Sequence, residues 1–284
     1  MDIKNVLVIG AGQMGLGIAQ VFMTSNYHVS LYDMSEEQIK KGIAFIDKQL
    51  NRQVEKAAMT KVEKDEVMNR LYPISSLSNA AQADLVVEAV VEKMEVKQSL
   101  FKELDQLMPP HTILATNTSS LPITEIAAAT SRPQQVIGMH FMNPVPVMKL
   151  VEIIRGLATS DEVYKVIHET SERLNKVPVE VEDFPGFVSN RILMPMVNEA
   201  IYTLYEGVAR KEDIDAVMKL GMRHPMGPLT LADFIGLDTC LFIMETLHKG
   251  FGDDKYRPCP LLRKYVKAGW LGKKVGRGFF TYDK

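Results

Sequence analysis

The chain opens with a short apolar run, Asn5-Val-Leu-Val-Ile9, that stops at Gly10. A run of that length ended by a glycine suits a strand buried in a parallel sheet. Residues 13 to 25 then carry apolar positions at helical spacing, through Met14, Ile18, Val21 and Phe22. A second strand is predicted over His28 to Tyr32, closed by Asp33, and a long helical stretch follows it. Leu85 to Val90 reads as the next buried strand. Residues 95 to 107 read as a helix with Val96, Leu100 and Leu104 at i, i+4 and i+8. Further strands are predicted at Ile113 to Thr116, Val136 to Met139 and Val177 to Val181. Alternation of this kind implies an α/β fold, a doubly wound parallel sheet covered by helices on both faces.

The pattern changes at Pro185-Gly186, after which the chain reads almost wholly helical. The expected organisation is a Rossmann-type dinucleotide-binding domain over residues 1–184 and an all-α domain over residues 185–284. Residues 187 to 206 are apolar on nearly all sides, through Val188, Ile192, Met196, Val197, Ala200, Ile201 and Leu204. Such a helix is normally buried, here against its own chain or in a subunit interface. Pro195 inside it predicts a kink, and Gly207 is a natural stop. No internal repeat or low-complexity linker interrupts the pattern.

Composition removes several function classes. A length of 284 residues and 46% apolar content suit a globular protein of one large or two smaller domains. A formal net charge of −2 argues against a nucleic-acid binder, which needs excess lysine and arginine. No apolar run approaches the ~20 residues of a membrane helix. The start, Met1-Asp2-Ile3-Lys4-Asn5, lacks the features of a signal peptide. The two cysteines, Cys240 and Cys259, form no C-x-x-C, so no metal site is expected, and reduced thiols suit a cytoplasmic protein.

Gly10-Ala11-Gly12-Gln13-Met14-Gly15 matches G-x-G-x-x-G between a predicted strand and a predicted helix, the context that makes the motif informative. The first glycine permits the tight turn, the second admits a pyrophosphate, and the third lets helix and strand pack closely. The helix N-terminus then faces the phosphate charge. Asp33 follows at the end of the second strand, 18 residues past Gly15. A carboxylate there accepts hydrogen bonds from ribose hydroxyls and repels a 2′-phosphate, which favours NAD over NADP. The plainer alternative is a glycine turn with a surface aspartate.

Further motifs run along the whole chain: Asp84-Leu-Val-Val-Glu-Ala-Val-Val-Glu92, Thr116-Asn-Thr-Ser-Ser120 and Gly138-Met-His-Phe-Met-Asn-Pro-Val-Pro146, then Leu150-Val-Glu152 and Pro185-Gly-Phe-Val-Ser-Asn-Arg191. Pro225-Met-Gly-Pro228, Gly272-Lys-Lys274 and Gly276-Arg-Gly-Phe279 complete the series. In content and order they resemble the L-3-hydroxyacyl-CoA dehydrogenases, most of all the short bacterial 3-hydroxybutyryl-CoA dehydrogenases. The resemblance implies an NAD-dependent oxidoreductase interconverting (S)-3-hydroxyacyl-CoA and 3-oxoacyl-CoA, working as a homodimer.

The chemistry points to the same residues. Oxidising a secondary alcohol requires a base for the hydroxyl proton, and histidine is the usual one. Of six histidines, His28, His111, His168 and His248 read as surface or cap residues, and His224 remains a weak candidate. His140 ends a predicted strand, and ligands of open parallel sheets bind beyond the carboxyl ends of the strands. The resemblance implies that Glu152 pairs with His140, orienting the imidazole and stabilising the imidazolium. Leu150, Val151, Ile153 and Ile154 surround Glu152, and a carboxylate in such a run needs a partner. The resemblance adds Ser119 and Asn190 to the catalytic set. It adds Gln13, Met14, Glu92, Lys97, Asn117, Asn143 and Lys274, again with Ser119, to the cofactor contacts. Each charged member could otherwise be an ordinary exposed charge.

Residues 40 to 64 hold seven basic and three acidic residues, and Lys48, Arg52 and Lys56 form one helical stripe. The family uses a helical excursion here to bind the CoA nucleotide; a solvated charged helix is the alternative. Two other readings of the whole chain stay open: a dehydrogenase of a small free hydroxy acid, and a non-catalytic NAD-binding or structural relative.

Overall fold

A computed structural model describes residues 1–283 as two compact units, Met1–Asp183 and a second from Phe184 onward. The first unit is built on an eight-stranded sheet: β1 Asn5–Ile9, β2 His28–Tyr32, β3 Leu71–Ile74, β4 Leu85–Glu88, β5 Ile113–Thr116, β6 Val136–Phe141, β7 Leu150–Arg155 and β8 Val177–Glu182. The spatial order is β3-β2-β1-β4-β5-β6-β7-β8. Strands β1 to β6 are parallel, β7 runs antiparallel to β6, and β8 is parallel to β7. Every residue of β4, β5 and β6 is buried. Successive side chains of a strand point to opposite faces, so these three strands are covered on both. The connecting helices are α1 Gln13–Thr24, α2 Glu36–Glu55, α3 Lys61–Met68, α4 Met94–Leu107, α5 Ile123–Ala127 and α6 Asp161–Arg173.

Four features differ from the sequence-based expectation. Strand β3 was not anticipated. It is short, carries Pro73, leaves two of its four residues exposed and sits at the sheet edge, where proline is tolerated. The sheet is mixed rather than wholly parallel, because β7, a strand not anticipated either, reverses direction after an eight-residue loop too short for a parallel crossover. Strand β6 runs past Met139 to Phe141, so His140 lies inside the strand and not beyond it. On α4 the inward face is Lys97, Phe101 and Leu104, while Val96 is exposed. Counting only apolar residues put the face one position early, because a lysine occupies a core position.

Helix α2 buries Ile39, Gly42, Ile46 and Leu50 and leaves Lys48, Arg52 and Lys56 exposed. Ser35 caps it by accepting from the Gln38 amide, and Thr60 and Glu63 form a capping box on α3. Lys64 of α3 reaches Asp47 at 2.6 Å and the Asn51 side chain at 2.8 Å, fastening the two helices together.

The second unit contains α7 Ser189–Tyr205, α8 Lys211–Leu220, α9 Pro228–Ile235, α10 Leu237–Phe251 and α11 Pro260–Lys267. Helix α7 continues through Pro195 and buries one face, with Met194, Val197, Ala200 and Ile201. Val188 and Ile192 are exposed within the chain, Ile192 at 67%. Gly207 has φ +73° and donates to the Leu204 carbonyl, closing the helix as expected. Cys240 and Cys259 are buried free thiols, and burial pushes the Cys240 pKa up to about 12. No helix of the described residues is long and apolar enough to cross a membrane.

Two buried aspartates organise this unit. Asp215 accepts from the amides of Leu229 and Thr230 at 2.8 and 3.0 Å and from the Thr230 hydroxyl at 2.5 Å, closing the N-terminus of α9. A Cβ on Gly227 would lie 2.1 Å from the Asp215 carboxyl carbon, and Pro228 fills the first helical position, so both small residues of Pro225-Met-Gly-Pro228 have structural reasons. Asp233 accepts from the amides of Phe279 and Phe280 and from the Tyr282 hydroxyl, pinning the turn through Phe279 and Phe280. Asp215→Ala leaves buried amides unsatisfied, at about 1–3 kcal/mol for each orphaned group. Thermal and denaturant unfolding are expected to show a clear loss of stability; an unchanged midpoint would contradict the capping role.

Candidate active site

The strand order reverses between β1 and β4, and the chain leaves β1 through the glycine turn. Gly10 has φ +107°, and a Cβ there would meet the Ala89 carbonyl oxygen at 2.5 Å. A Cβ on Gly15 would fall 1.8 Å from the Gly10 carbonyl oxygen, so α1 can lie this close to the turn only without one. Gly12 differs. Its φ is −79°, and a Cβ would meet nothing within 4 Å. The protein itself places no demand on this glycine; the space beside it belongs to whatever approaches the backbone from outside. Helix α1 has no acidic residue in its first turn and no side-chain cap, which leaves its N-terminal end suited to an anion.

Asp33 follows β2 and takes the Ala11 amide at 2.8 Å and the Ser35 amide at 2.9 Å. Its carboxylate therefore stands beside the glycine turn, at the carboxyl end of the neighbouring strand. Gln13 donates from Nε2 to Asn143 Oδ1 at 3.1 Å, joining the first turn of α1 to the loop after β6. That loop is held from below by Lys176, whose ammonium donates to the carbonyls of Val145 and Met148. Burial lowers the Lys176 pKa.

His140 on β6 stands directly opposite Glu152 on β7 in the antiparallel register. Both side chains are buried, and His140 Nδ1 lies 2.8 Å from Glu152 Oε2. Strand geometry alone sets this pair: adjacent antiparallel strands put facing side chains within contact distance. A carboxylate at this depth requires such a partner.

Asn117 follows β5. Its amide donates to the Glu88 carbonyl, and its Oδ1 accepts from the Phe141 amide at 2.9 Å, so it binds the ends of β4, β5 and β6 together. Glu92 accepts from the Thr118 hydroxyl at 2.6 Å, from the Ser119 and Ser120 amides at 2.8 and 3.1 Å, and from the Ser120 hydroxyl at 3.1 Å. Lys97 is 1% exposed, with Nζ 2.6 Å from Glu88 and 3.4 Å from Glu92. Neither side chain is the ordinary exposed charge considered above. Glu88, fully buried at the end of β4, went unremarked within the Asp84–Glu92 motif. The signal was available: an acid closing an otherwise apolar strand.

The structure thus brings Gly10, Gly12, Gln13, Met14, Gly15, Asp33, Glu92, Lys97, Asn117, Ser119, His140, Asn143 and Glu152 onto the turns and strand ends of the first unit. Asn190 lies in the first turn of α7 and is half-buried. Lys274 lies on a short turn of the second unit, 2.6 and 2.7 Å from the Asp238 carboxylate oxygens. His224, the other histidine weighed as a base, lines an apolar groove of about 650 Å³ with Val188, Ile192, Met196 and Met226.

A reversed strand order, a glycine turn opening a helix and an acid closing the second strand define a dinucleotide-dependent dehydrogenase fold. The comparisons with known proteins refine that class. Residues 5–184 match the NAD binding domain of 3-hydroxyacyl-CoA dehydrogenase and residues 186–282 its C-terminal domain. The chain is 63% identical over 284 residues to the probable 3-hydroxybutyryl-CoA dehydrogenase of Bacillus subtilis, covering 100% of this chain and 99% of the relative. It is 44% identical to the human mitochondrial hydroxyacyl-coenzyme A dehydrogenase, over 99% of this chain and 91% of that one. The crystal structure of (S)-3-hydroxybutyryl-CoA dehydrogenase from Ralstonia eutropha superimposes with a TM-score of 0.97 at 46% identity, covering all of both chains. This chain belongs to the 3-hydroxyacyl-CoA dehydrogenase family.

The three glycines make a contrast that can be measured. Gly15→Ala is expected to lower the thermal midpoint of the free protein sharply. Gly12→Ala is expected to leave that midpoint nearly unchanged while weakening NADH binding about tenfold or more, equivalent to ~1.4 kcal/mol. Melting curves and NADH fluorescence titration check both; equal NADH affinity in Gly12→Ala would remove that glycine from the cofactor site.

Proposed function

We propose that this enzyme interconverts (S)-3-hydroxybutyryl-CoA and acetoacetyl-CoA, with His140 and Glu152 as its acid-base pair. The observation that carries this reading is the buried 2.8 Å contact between His140 Nδ1 and Glu152 Oε2. NAD, when bound, supplies the hydride acceptor. Glu152 fixes the imidazole tautomer by holding the Nδ1 proton, so Nε2 takes the hydroxyl proton in oxidation and returns it in ketone reduction. The carboxylate also compensates the imidazolium formed in that transfer. Ser119 meets the reacting oxygen, and Asn190 holds substrate.

The cofactor fits the first unit. Gly12 has room beside it that only an outside group would use, and Asp33 presents a carboxylate suited to ribose hydroxyls next to the turn. Gln13, Met14, Asn117 and Asn143 complete the cradle, with Glu92 and Lys97 beside it. Asp33 would also repel a 2′-phosphate, which sets the preference for NAD.

Lys48, Arg52 and Lys56 lie exposed along one face of α2 and receive the phosphates of CoA. A free hydroxy acid would need no such stripe. A non-catalytic relative would have no use for a buried acid-base pair. The enzyme works in the cytoplasm, where its two buried thiols stay reduced. It works as a homodimer, with the exposed apolar face of α7 around Val188 and Ile192 covered by the partner copy.

Two outcomes test these assignments. Reversing the charges of Lys48, Arg52 and Lys56 together is expected to raise KM for acetoacetyl-CoA in a salt-sensitive way, because exposed charges are screened over ~10 Å at moderate ionic strength. NADH affinity should stay the same; an unchanged KM returns the stripe to a solvated helix face. His140→Gln is expected to lower kcat by roughly 10²–10⁴-fold with little change in NADH affinity. In the wild type, oxidation should gain and reduction decline as pH rises, because oxidation needs neutral His140 and reduction its protonated form. Stopped-flow rates in both directions across pH decide this, and near-normal turnover in His140→Gln would shift attention to His224.

A further inference from the structure

We propose that Lys176 is a positioning residue for the reaction: from beneath the loop that joins β6 to β7, it fixes where Asn143 stands beside the glycine turn. The inference rests on the reading that Asn143 is part of the cofactor cradle.

The loop runs over residues 142–149, between the strand of His140 and the strand of Glu152. Val145 is its one buried residue, while Asn143, Pro144 and Pro146 through Lys149 are exposed. A segment with so few apolar anchors opens easily unless other bonds hold it. Three contacts do so. At its start, Asn143 Oδ1 accepts from Gln13 Nε2 at 3.1 Å. At its middle, Val145 lies against α1 at Gly17, where an added Cβ would stand 2.8 Å from the Val145 Cβ. From the turn before β8, the Lys176 ammonium donates to the carbonyls of Val145 at 2.5 Å and Met148 at 2.7 Å. The backbone of Lys176 is fixed in its own right. Its amide donates to the Ser171 carbonyl at 3.0 Å, and the following amide, of Val177, donates to the Lys149 carbonyl at 2.8 Å.

The choice of a lysine is informative. Lys176 is buried, and its partners are two neutral carbonyls, not a carboxylate. A buried ammonium without a counter-charge costs free energy, and burial lowers its pKa accordingly. An apolar side chain would fill the same space without that cost but would leave both carbonyls unheld. The ammonium supplies three donors and no acceptor at the end of a long stem, and bonds from a charged donor are the strong ones. They draw the carbonyls of residues 145 and 148 toward one point. The same stretch is turned back on itself by the Val147 and Met148 amides, which both donate to the Pro144 carbonyl at 3.0 Å, next to Asn143. Reaction rates are steep in such placement: a displacement of about 1 Å can cost roughly 10²-fold. Lys176 acts through the backbone of the loop, and Asn143 is where its effect is delivered.

The test compares Lys176→Met, Lys176→Arg, Asn143→Ala and the double variant Lys176→Met/Asn143→Ala with wild type. Lys176→Met is expected to lower kcat/KM for NADH in acetoacetyl-CoA reduction about 10- to 100-fold, to weaken NADH binding, and to speed amide hydrogen exchange at Val147 and Met148. Lys176→Arg keeps the charge and the donors and should recover most of these losses. In the Asn143→Ala background, Lys176→Met should cost less than about twofold, because the residue it positions is already gone. Losses that multiply in the double variant would show that Lys176 does not act through Asn143, and the proposal falls. Normal turnover and NADH affinity in Lys176→Met would overturn it as well. If Lys176→Met does not fold, Lys176→Gln, which keeps a donor amide, takes its place in the same cycle. Unchanged NADH affinity and turnover in Asn143→Ala would overturn the cradle assignment of that residue and the proposal with it, a different failure from multiplying losses. If wild type fails to reduce acetoacetyl-CoA, the functional reading falls, while NADH affinity through the same cycle still decides this one.

Discussion

A carboxylate taken out of water must meet its partners at the place where it is buried, and this requirement orders the sheet unit. Glu88 closes β4 and Glu152 lies mid-strand on β7, and both are buried. Each is answered by one ionisable side chain, Lys97 at 2.6 Å and His140 at 2.8 Å. The answering groups could not stand elsewhere. Lys97 has to come from the inward face of α4, and His140 has to lie in register with Glu152. The reversal of direction at β7 supplies that register, since only an antiparallel neighbour brings a residue 12 positions later directly across from His140.

The same end of the sheet carries the glycine turn, and there the constraint is space. Gly10 and Gly15 are forced by backbone atoms within 3 Å of any added Cβ. Their closeness allows α1 to start directly above β1, with its first turn facing outward. Asp33 then binds the Ala11 amide, so the acid of β2 and the turn of β1 are fixed relative to one another by a single hydrogen bond. Polar groups from β1, β2, β4, β5 and β6 therefore converge where the strands end, as an open sheet allows at its point of reversal.

Much of this was legible in the chain. Short apolar runs such as Asn5–Ile9 and Ile113–Thr116, ended by a glycine or polar residues, announce buried strands. The glycine turn and Asp33 were legible through spacing. Strand β3 was not, since Leu71-Tyr-Pro-Ile74 is an edge strand that lacks both alternation and a full apolar run. Strand β7 was not anticipated at all: Glu152 interrupts its apolar run, and no apolar pattern reveals which way a strand runs. The inward face of α4 was misjudged by one residue because its core position is a lysine, whose charge disguises burial until its partner is known. For the same reason Glu88 passed as one acid among several. Buried ion pairs are written in two distant places, here nine residues apart on different elements, and neither half identifies itself.

The helical unit buries carboxylates too, and the comparison shows what distinguishes a chemical site from an architectural one. Asp215 and Asp233 are bonded to backbone amides and to hydroxyls of their own unit. Amide protons are not exchanged in a reaction, so these acids can only hold segments in place: the start of α9 in one case, the turn through Phe279 and Phe280 in the other. Glu152 is bonded instead to an imidazole, a group able to gain and lose a proton near neutral pH. Burial makes each carboxylate dependent on its partner, and the nature of that partner decides whether the dependence yields rigidity or reactivity. Glu88 lies between these cases. Its bonds to the Val90 amide and the Thr116 hydroxyl are architectural, while its bond to Lys97 extends to Glu92 and the Ser119 loop. It stands one step behind the site, where structural bonding and catalytic geometry meet.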